Sequence, residues 1–234
     1  MTTPYQNFGR RWMGLGGRTS LDDMKESAKT VTFGSHTQIY FSDCRRMKIL
    51  DVGGGNGKRA QETFPNDHIR TIDIQDGWNV MYSGLPACDL GNWDLIFANH
   101  FIEHIHDPDY FLKECKRVMA PHTILDIGTP NLNAWFNRIL FFFGYLPHSY
   151  EVSYRYNVGK PFDWNKEEIG GHIRVFNVPS LLALLKKYDF KIISVQGEAS
   201  TFPCAWPIRL LDKLLTKLNI NLASAFRVRC TLPD

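Results

Sequence analysis

From Lys48 to Lys58 the chain reads Lys-Ile-Leu-Asp-Val-Gly-Gly-Gly-Asn-Gly-Lys: a short apolar strand, Asp51 near its end, then Gly53, Gly55 and Gly57. Glycines at that spacing let the backbone turn sharply and let a ligand lie against bare peptide. The next apolar stretch, Ile69 to Ile72, ends in Asp73, twenty-two residues after Asp51. A carboxylate at that distance suits a ribose whose two hydroxyls need an acceptor, so the pair marks a nucleoside cofactor site. A dinucleotide fingerprint would put its third glycine at 58, where the chain has Lys58. A P-loop would need glycine at 52 and Ser or Thr at 59; the residues are Val52 and Arg59.

A second group of reactive residues follows at His100, Glu103 and His104. If that stretch is one helical turn, the spacing puts all three on one side. Three readings stay open for them: a histidine base, a divalent-metal site, or a brace for the cofactor loop. Bracing is the first expectation, and no residue is assigned to a metal. The candidate bases are His100, His104 and His172, since imidazole is suited to proton transfer near neutral pH. His172 lies in Gly170-Gly171-His172-Ile173-Arg174, where an ordinary turn histidine is an equal reading.

The elements that must position these groups alternate along the chain. Strands are expected at Lys48–Val52, Ile69–Asp73, near Ala87–Leu90, at Leu95–Ala98, Ile124–Gly128 and Lys191–Val195, and near Ala225–Thr231. A helix opens at Asp107-Pro108, where Asp caps and Pro takes the first helical position. Its Phe111, Leu112, Cys115 and Val118 recur at helical spacing and should face a sheet. Further helices are expected at Ser20–Lys29, Val178–Tyr188 and near Ile208–Leu218. Such alternation implies a doubly wound, mostly parallel sheet with helices on both faces. The expected arrangement is one domain over 1–234: a helical N-terminal cap (1–46), a cofactor-binding half (47–130), an acceptor-side insert (131–171) and a C-terminal half (172–234).

The motif acid-x-Gly-x-Gly-x-Gly resembles the first motif of the class I S-adenosylmethionine-dependent methyltransferases. The resemblance continues through Asp89-Leu90, Trp93-Asp94-Leu95-Ile96-Phe97-Ala98, Glu103-His104 with Asp107-Pro108, Glu114, Arg117-Val118-Met119-Ala120-Pro121 and Thr129-Pro130-Asn131. It implies a Rossmann-like, seven-stranded α/β fold whose last strand is antiparallel between its neighbours, with an aromatic-rich insert after strand five. It also implies S-adenosylmethionine as cofactor, held by Asp51, Gly53, Gly55, Gly57, Asp73, Ile74, Asp89, Leu90 and Asn99. Asp73 would take the ribose, Asp89 the adenine amine, and Asn99 would lie near the sulfonium. Ubiquinone-type O-methyltransferases and small-RNA 3′-terminal methyltransferases carry Glu-x-x-Glu-His as a metal motif, whereas this chain has His100 in the first place. The later segments are similar to methyltransferases of surface-polysaccharide gene clusters and to methyltransferase-like proteins of methionine biosynthesis.

The expected activity is O-methylation of a small molecule or glycan. The alternatives are a non-catalytic cofactor-binding partner subunit and a metal-dependent RNA-end methyltransferase. After strand four, where enzymes that methylate exocyclic amines of DNA bases carry Asn/Asp-Pro-Pro-aromatic and cytosine-5 enzymes carry Pro-Cys, this chain has Ala98-Asn99-His100-Phe101. A net charge of +3 is too mild for a nucleic-acid footprint, and the charges of the C-terminal part, Lys213, Lys217, Arg227 and Arg229, read as solvated surface. A protein partner or a homodimer is compatible with the sequence. From Trp135 to Trp164, eleven of thirty residues are aromatic, against 13% overall. That density fits a packed lid helix or an aromatic-walled acceptor cleft, with a lipid-touching surface as a third option. Five scattered cysteines without metal or redox spacing, a polar start and no apolar run of membrane-spanning length make a cytoplasmic protein the expectation.

Overall fold

The computed structural model describes residues 29–33, 36–40, 46–73, 85, 90–153, 155–161, 170–199 and 206–233. Its strands are β1 (Lys29–Phe33), β2 (His36–Tyr40), β3 (Lys48–Val52), β4 (His68–Ile72), β5 (Leu95–Asn99), β6 (Ile124–Pro130), β7 (Lys191–Glu198) and β8 (Ala225–Thr231). The helices are α1 (Lys58–Thr63), α2 (Pro108–Val118), α3 (Trp135–Phe142), α4 (Val178–Lys187) and α5 (Trp206–Leu218), with short 3-10 turns at Ile102–His104 and Ile220–Leu222.

Six of the strands form one sheet in the order β4-β3-β5-β6-β8-β7. The pairings from β4 through β6 are parallel, while β8 runs antiparallel to both β6 and β7. This is a Rossmann-like α/β sheet, with the last strand inserted between its neighbours as the resemblance implies. The strand expected near Ala87–Leu90 falls mostly outside the described residues, and Leu90 itself sits in a turn. The expected Ser20–Lys29 helix also lies outside them, except that Lys29 opens a strand. Within the segment read as a helical cap, residues 29–33 and 36–40 form an antiparallel hairpin. Thr30, Val31, Thr32, Thr37, Ile39 and Tyr40 explain it, since β-branched and aromatic side chains favour extended backbone.

Apolar residues cover both faces of the sheet. On one side Leu50, Val52, Ile96, Ala98, Leu125, Ile127, Phe226 and Val228 join Phe111, Leu112, Cys115 and Val118 of α2 and Leu181 and Leu185 of α4. The α2 stripe is the one its spacing predicts, and the Asp107 carboxylate accepts the Tyr110 N–H at the start of that helix. A capping box between Asn177 and Ser180 starts α4. On the other side Met47, Ile49, Leu95 and Phe97 pack with Ala60 of α1 and Phe64. Burying one such side chain contributes about 1.5–3 kcal/mol. Cys115 and Cys230 are free, buried thiols whose pKa burial pushes up.

Further along that second face the apolar cover gives way to charge. Phe97, Asp126 and Arg229 stand in one row across β5, β6 and β8, and Asn99, Gly128 and Arg227 in the next such row. Asp126 accepts from Arg227 Nη1 at 2.7 Å and from Arg229 Nε at 2.8 Å. Arg227 also reaches Glu198 on β7 at 2.8 Å and Asn99 on β5 at 2.6 Å. Gly128 makes that reach feasible: a Cβ there would lie 2.8 Å from Asn99 Oδ1 and 3.1 Å from Arg227 Nη2. Arg227 and Arg229 are therefore not solvated surface charges, because the register of β8 turns both onto a buried carboxylate.

Candidate functional site

The carboxyl ends of the parallel strands β3, β4, β5 and β6 open on one edge of the sheet, and the chain order reverses between β3 and β5. Ligands of open α/β sheets bind at such a switch point. Val52 leads into a loop in which Gly53, Gly55 and Gly57 all have left-handed φ, at 71°, 56° and 72°. The Gly55 N–H donates to Asp73 Oδ2 at 2.8 Å, so the acid after β4 reaches the glycine loop after β3. A Cβ on Gly53 would overlap the Phe101 ring, and one on Gly54 would overlap the Asp51 carboxylate, whereas the space beside Gly55 is open. Gly55 is thus where a ligand can meet the peptide directly. Phe101 packed on Gly53 brings the turn after β5 against the same loop.

Asp51 is buried beneath it, and the Thr71 hydroxyl lies 3.3 Å from its carboxylate. Burial pushes its carboxyl up to about 6, with the Asp73 charge adding to the rise. A raised acid pKa contributes stability that is complete below the unfolded value of 3.8 and is lost as pH climbs through about 6. Asp51→Asn should therefore be more stable than wild type at pH 7, by up to about 3 kcal/mol, with the difference vanishing near pH 4. Urea unfolding across pH 4–8 reads this directly; equal slopes of stability with pH in both proteins would refute it.

The second constellation lies just past β5. His100 is not in a helix: it holds a left-handed φ of 52°, and its N–H donates to Gly128 O at 2.8 Å. A non-glycine residue so placed carries about 1–3 kcal/mol of strain, which proteins retain chiefly at functional sites. Glu103 and His104 occupy the 3-10 turn, so the expected single helical face does not form, yet the side chains still meet. His100 Nδ1 lies 3.1 Å from Glu103 Oε1, and the Thr129 hydroxyl donates to Glu103 Oε2 at 3.0 Å. Glu103 O accepts both the Ile173 and Arg174 N–H groups, at 2.8 and 2.9 Å, which ties the segment after the insert to this turn. His172 arrives with it, its ring 4.9 Å from that of His104. Burial and the neighbouring His104 push the His172 pKa down despite Glu103 and Glu151.

No motif or spacing in the sequence points to Glu151. Its carboxylate accepts the N–H groups of Gly170, Gly171 and His172 at 2.7, 2.8 and 3.1 Å, fixing the histidine's backbone. A glutamate in a loop has no periodic or spacing signal, and only the paired glycines at 170 and 171 hint at a backbone that something must hold. His148 lies nearby, its pKa depressed to about 4 by burial and by Lys160 and His172.

Of the remaining expected cofactor residues, Asn99 ends β5 with its Oδ1 bound to Arg227 and its Nδ2 buried without a hydrogen-bond partner. Leu90 is exposed, while Ile74 and Asp89 lie outside the described residues. Among the described residues of the aromatic insert, the helix does not turn its aromatic side inward as a lid. In α3 the buried residue is Asn137, while Phe141, Phe142 and Phe143 are exposed, Phe142 by 84%. Asn137 is anchored through the carbonyls of Asn131 and Leu132 and the His148 N–H. Nearby α5 shows the same inversion: Asp212 is buried, bonded to Trp135 and Ser224, and Trp206, Leu210, Leu214 and Leu218 are exposed. No helix among the described residues is long and apolar enough to cross a membrane.

A family model described as a methyltransferase domain matches residues 35–195. No curated protein sequence matches the chain. Among solved structures it is similar to a SAM-dependent methyltransferase from Archaeoglobus fulgidus, at 13% identity and a TM-score of 0.45, over 80% of this chain and 86% of that one. It is also similar to 1,6-didemethyltoxoflavin-N1-methyltransferase from Burkholderia thailandensis, solved with S-adenosylhomocysteine, at 14% identity and a TM-score of 0.45 over 81% and 72% of the two chains. A third is a SAM-dependent methyltransferase from Aquifex aeolicus, at 15% identity and a TM-score of 0.41 over 80% and 82%.

Proposed function

Since this chain belongs to the methyltransferase domain family, we propose that it methylates a hydroxyl oxygen of a small molecule or glycan, in the cytoplasm. Its cofactor is S-adenosylmethionine. The residues present fit that group: the backbone at Gly55 is open, three left-handed glycines shape the loop, and an acid stands at its rim. Asp73 would hold the ribose hydroxyls, the loop from Asp51 to Gly57 would carry the amino-acid portion, and Asn99 would lie near the sulfonium, with Ile74, Asp89 and Leu90 around the adenosine. When bound, the cofactor supplies a methyl group already activated for in-line displacement, so alignment matters more than chemical assistance.

A hydroxyl acceptor still gains from losing its proton, and the observation that carries this reading is the His100–Glu103 pair beside the loop. The Glu103 carboxylate fixes the tautomer with hydrogen on His100 Nδ1, which leaves Nε2 as the proton acceptor. His100 is about one-third exposed, accessible enough to reach a bound acceptor. His104 and His172 stand behind it as further bases or as supports for Glu103. The exposed aromatics of α3 and residues up to 171 would form the acceptor side.

Asparagine tolerates the left-handed backbone at position 100 and cannot act as a base. His100→Asn should therefore lower kcat by about 10²–10⁴-fold with little change in cofactor affinity. Transfer of a labelled methyl group to an acceptor pool measures it; unaltered turnover would remove His100 from the mechanism. One observation favours a second reading, a cofactor-binding partner subunit: the outward apolar faces of α3 and α5 are suited to another protein.

A further inference from the structure

We propose that Glu103, His104 and His172 form a binding site for one divalent transition-metal ion of the zinc class. One donor atom from each residue lies within 4.8 Å of the others. Donors about 2.0–2.2 Å from a shared ion sit some 3.5 Å apart, so a contraction of about 1 Å completes the set. The supporting contacts are already those of a ligand shell. His104 Nδ1 lies 3.2 Å from Gly171 O, which places its hydrogen there and leaves the Nε2 lone pair on the other side, 4.0 Å from Glu103 Oε1. A backbone carbonyl holding the far nitrogen is how proteins orient ligating imidazoles.

Glu103 offers a buried carboxylate oxygen to the group. It is 1% exposed, and among the described residues its partners at ion-pair distance are histidines, with no lysine or arginine. A buried carboxylate is costly unless a cation accompanies it. His172 brings a ring nitrogen to the group, and its Nδ1 is buried without a hydrogen-bond partner, 4.0 Å from a Glu151 carboxylate oxygen. The paired hydrogen bonds from Ile173 and Arg174 to Glu103 O, with the Glu151 clasp on residues 170–172, hold donors from two distant segments together before any ion arrives. Two imidazoles and one carboxylate select zinc, cobalt or ferrous iron over magnesium, which prefers oxygen donors and water. Three protein donors leave coordination positions for an outside ligand. A role for the ion in making the acceptor hydroxyl more acidic rests on the methyl-transfer reading; ion binding itself does not.

The test uses the intact chain, stripped with a chelator and titrated with zinc chloride by calorimetry and with cobalt chloride by visible absorption. The expected result is one equivalent bound, with a cobalt ligand-field band. Binding should be at least 100-fold weaker in His104→Ala and His172→Ala. His172→Gln serves if the alanine variants lose their circular dichroism. No stoichiometric binding by the folded chain would overturn the site. So would unchanged binding in the double histidine variant, or equally tight binding of magnesium. S-adenosylmethionine titrated into the same samples separates the two readings: ion binding without cofactor binding upholds this site and counts against the methyltransferase proposal alone.

Discussion

Asp126→Ala should destabilise the protein by about 3–5 kcal/mol, the cost of leaving buried charges without their partner. Asp126 is the shared acceptor of Arg227 and Arg229, and both its oxygens are engaged. Burial alone would push its carboxyl up, but the two guanidiniums together hold it below its ordinary value. Arg227 in turn is pushed above its ordinary value by Asp126 and Glu198, against the effect of its own burial. A depressed acid pKa contributes stability that is present above the unfolded value of 3.8 and is lost as pH falls through the folded one. The variant should therefore be weakest relative to wild type at neutral pH, and the gap should narrow in acid. Urea melts at pH 7 and pH 3 measure both quantities. Replacing all three charges with apolar residues of similar volume should recover much of the loss, since a well-packed apolar set can equal a buried ion pair. A single-variant loss under 1 kcal/mol at pH 7 would show that water reaches this network.

Asp73→Ala carries the other large expectation. A carboxylate accepting two ribose hydroxyls contributes about 1.5–3 kcal/mol per bond, so cofactor binding should weaken by about 10²–10⁴-fold. The variant also removes the acceptor of the Gly55 N–H, which loosens the loop at the point where it is open to a ligand. Calorimetric titration of both proteins with S-adenosylmethionine and S-adenosylhomocysteine measures the effect. Wild type that binds neither, while folded, would sink the enzyme reading and turn attention to the apolar faces of α3 and α5. A partner subunit would behave differently again, losing cofactor in the variant while keeping its partner.

The glycine loop, both acids and the sheet they sit on were legible because their signals are local. A strand, a turn that needs positive φ and an acid at fixed distance all fall within a few dozen residues. The α2 stripe was legible for the same reason, being a period within one helix. What escaped depends on register between distant segments. Nothing within β8 distinguishes Arg227 from a surface arginine; its partner Asp126 is 101 positions away. The approach of His172 to Glu103 and His104 rests on main-chain bonds from a segment about 70 residues on and on Glu151, which has no motif. The aromatics of α3 misled in the other direction. Their density leaves a packed lid, an acceptor cleft and a lipid-touching surface open, and of these the packed lid does not form in α3: Asn137 supplies the buried anchor, and polar anchoring leaves no hydrophobic-period signal. His100 was legible as a residue and not as a conformation, since left-handed backbone is encoded clearly by glycine alone.

The clasp between Glu151 and residues 170–172, with Glu103 O holding Ile173 and Arg174, consists of bonds to main-chain amides. Main-chain amides survive almost any substitution. The aromatic segment between α3 and the clasp can therefore drift in sequence from one descendant to the next without moving His172 or the turn that carries Glu103. Substitution along that segment leaves the Glu103 turn and the backbone of residues 170–174 where these bonds hold them. Glu151 is the side chain in that joint that lineages would be compelled to keep.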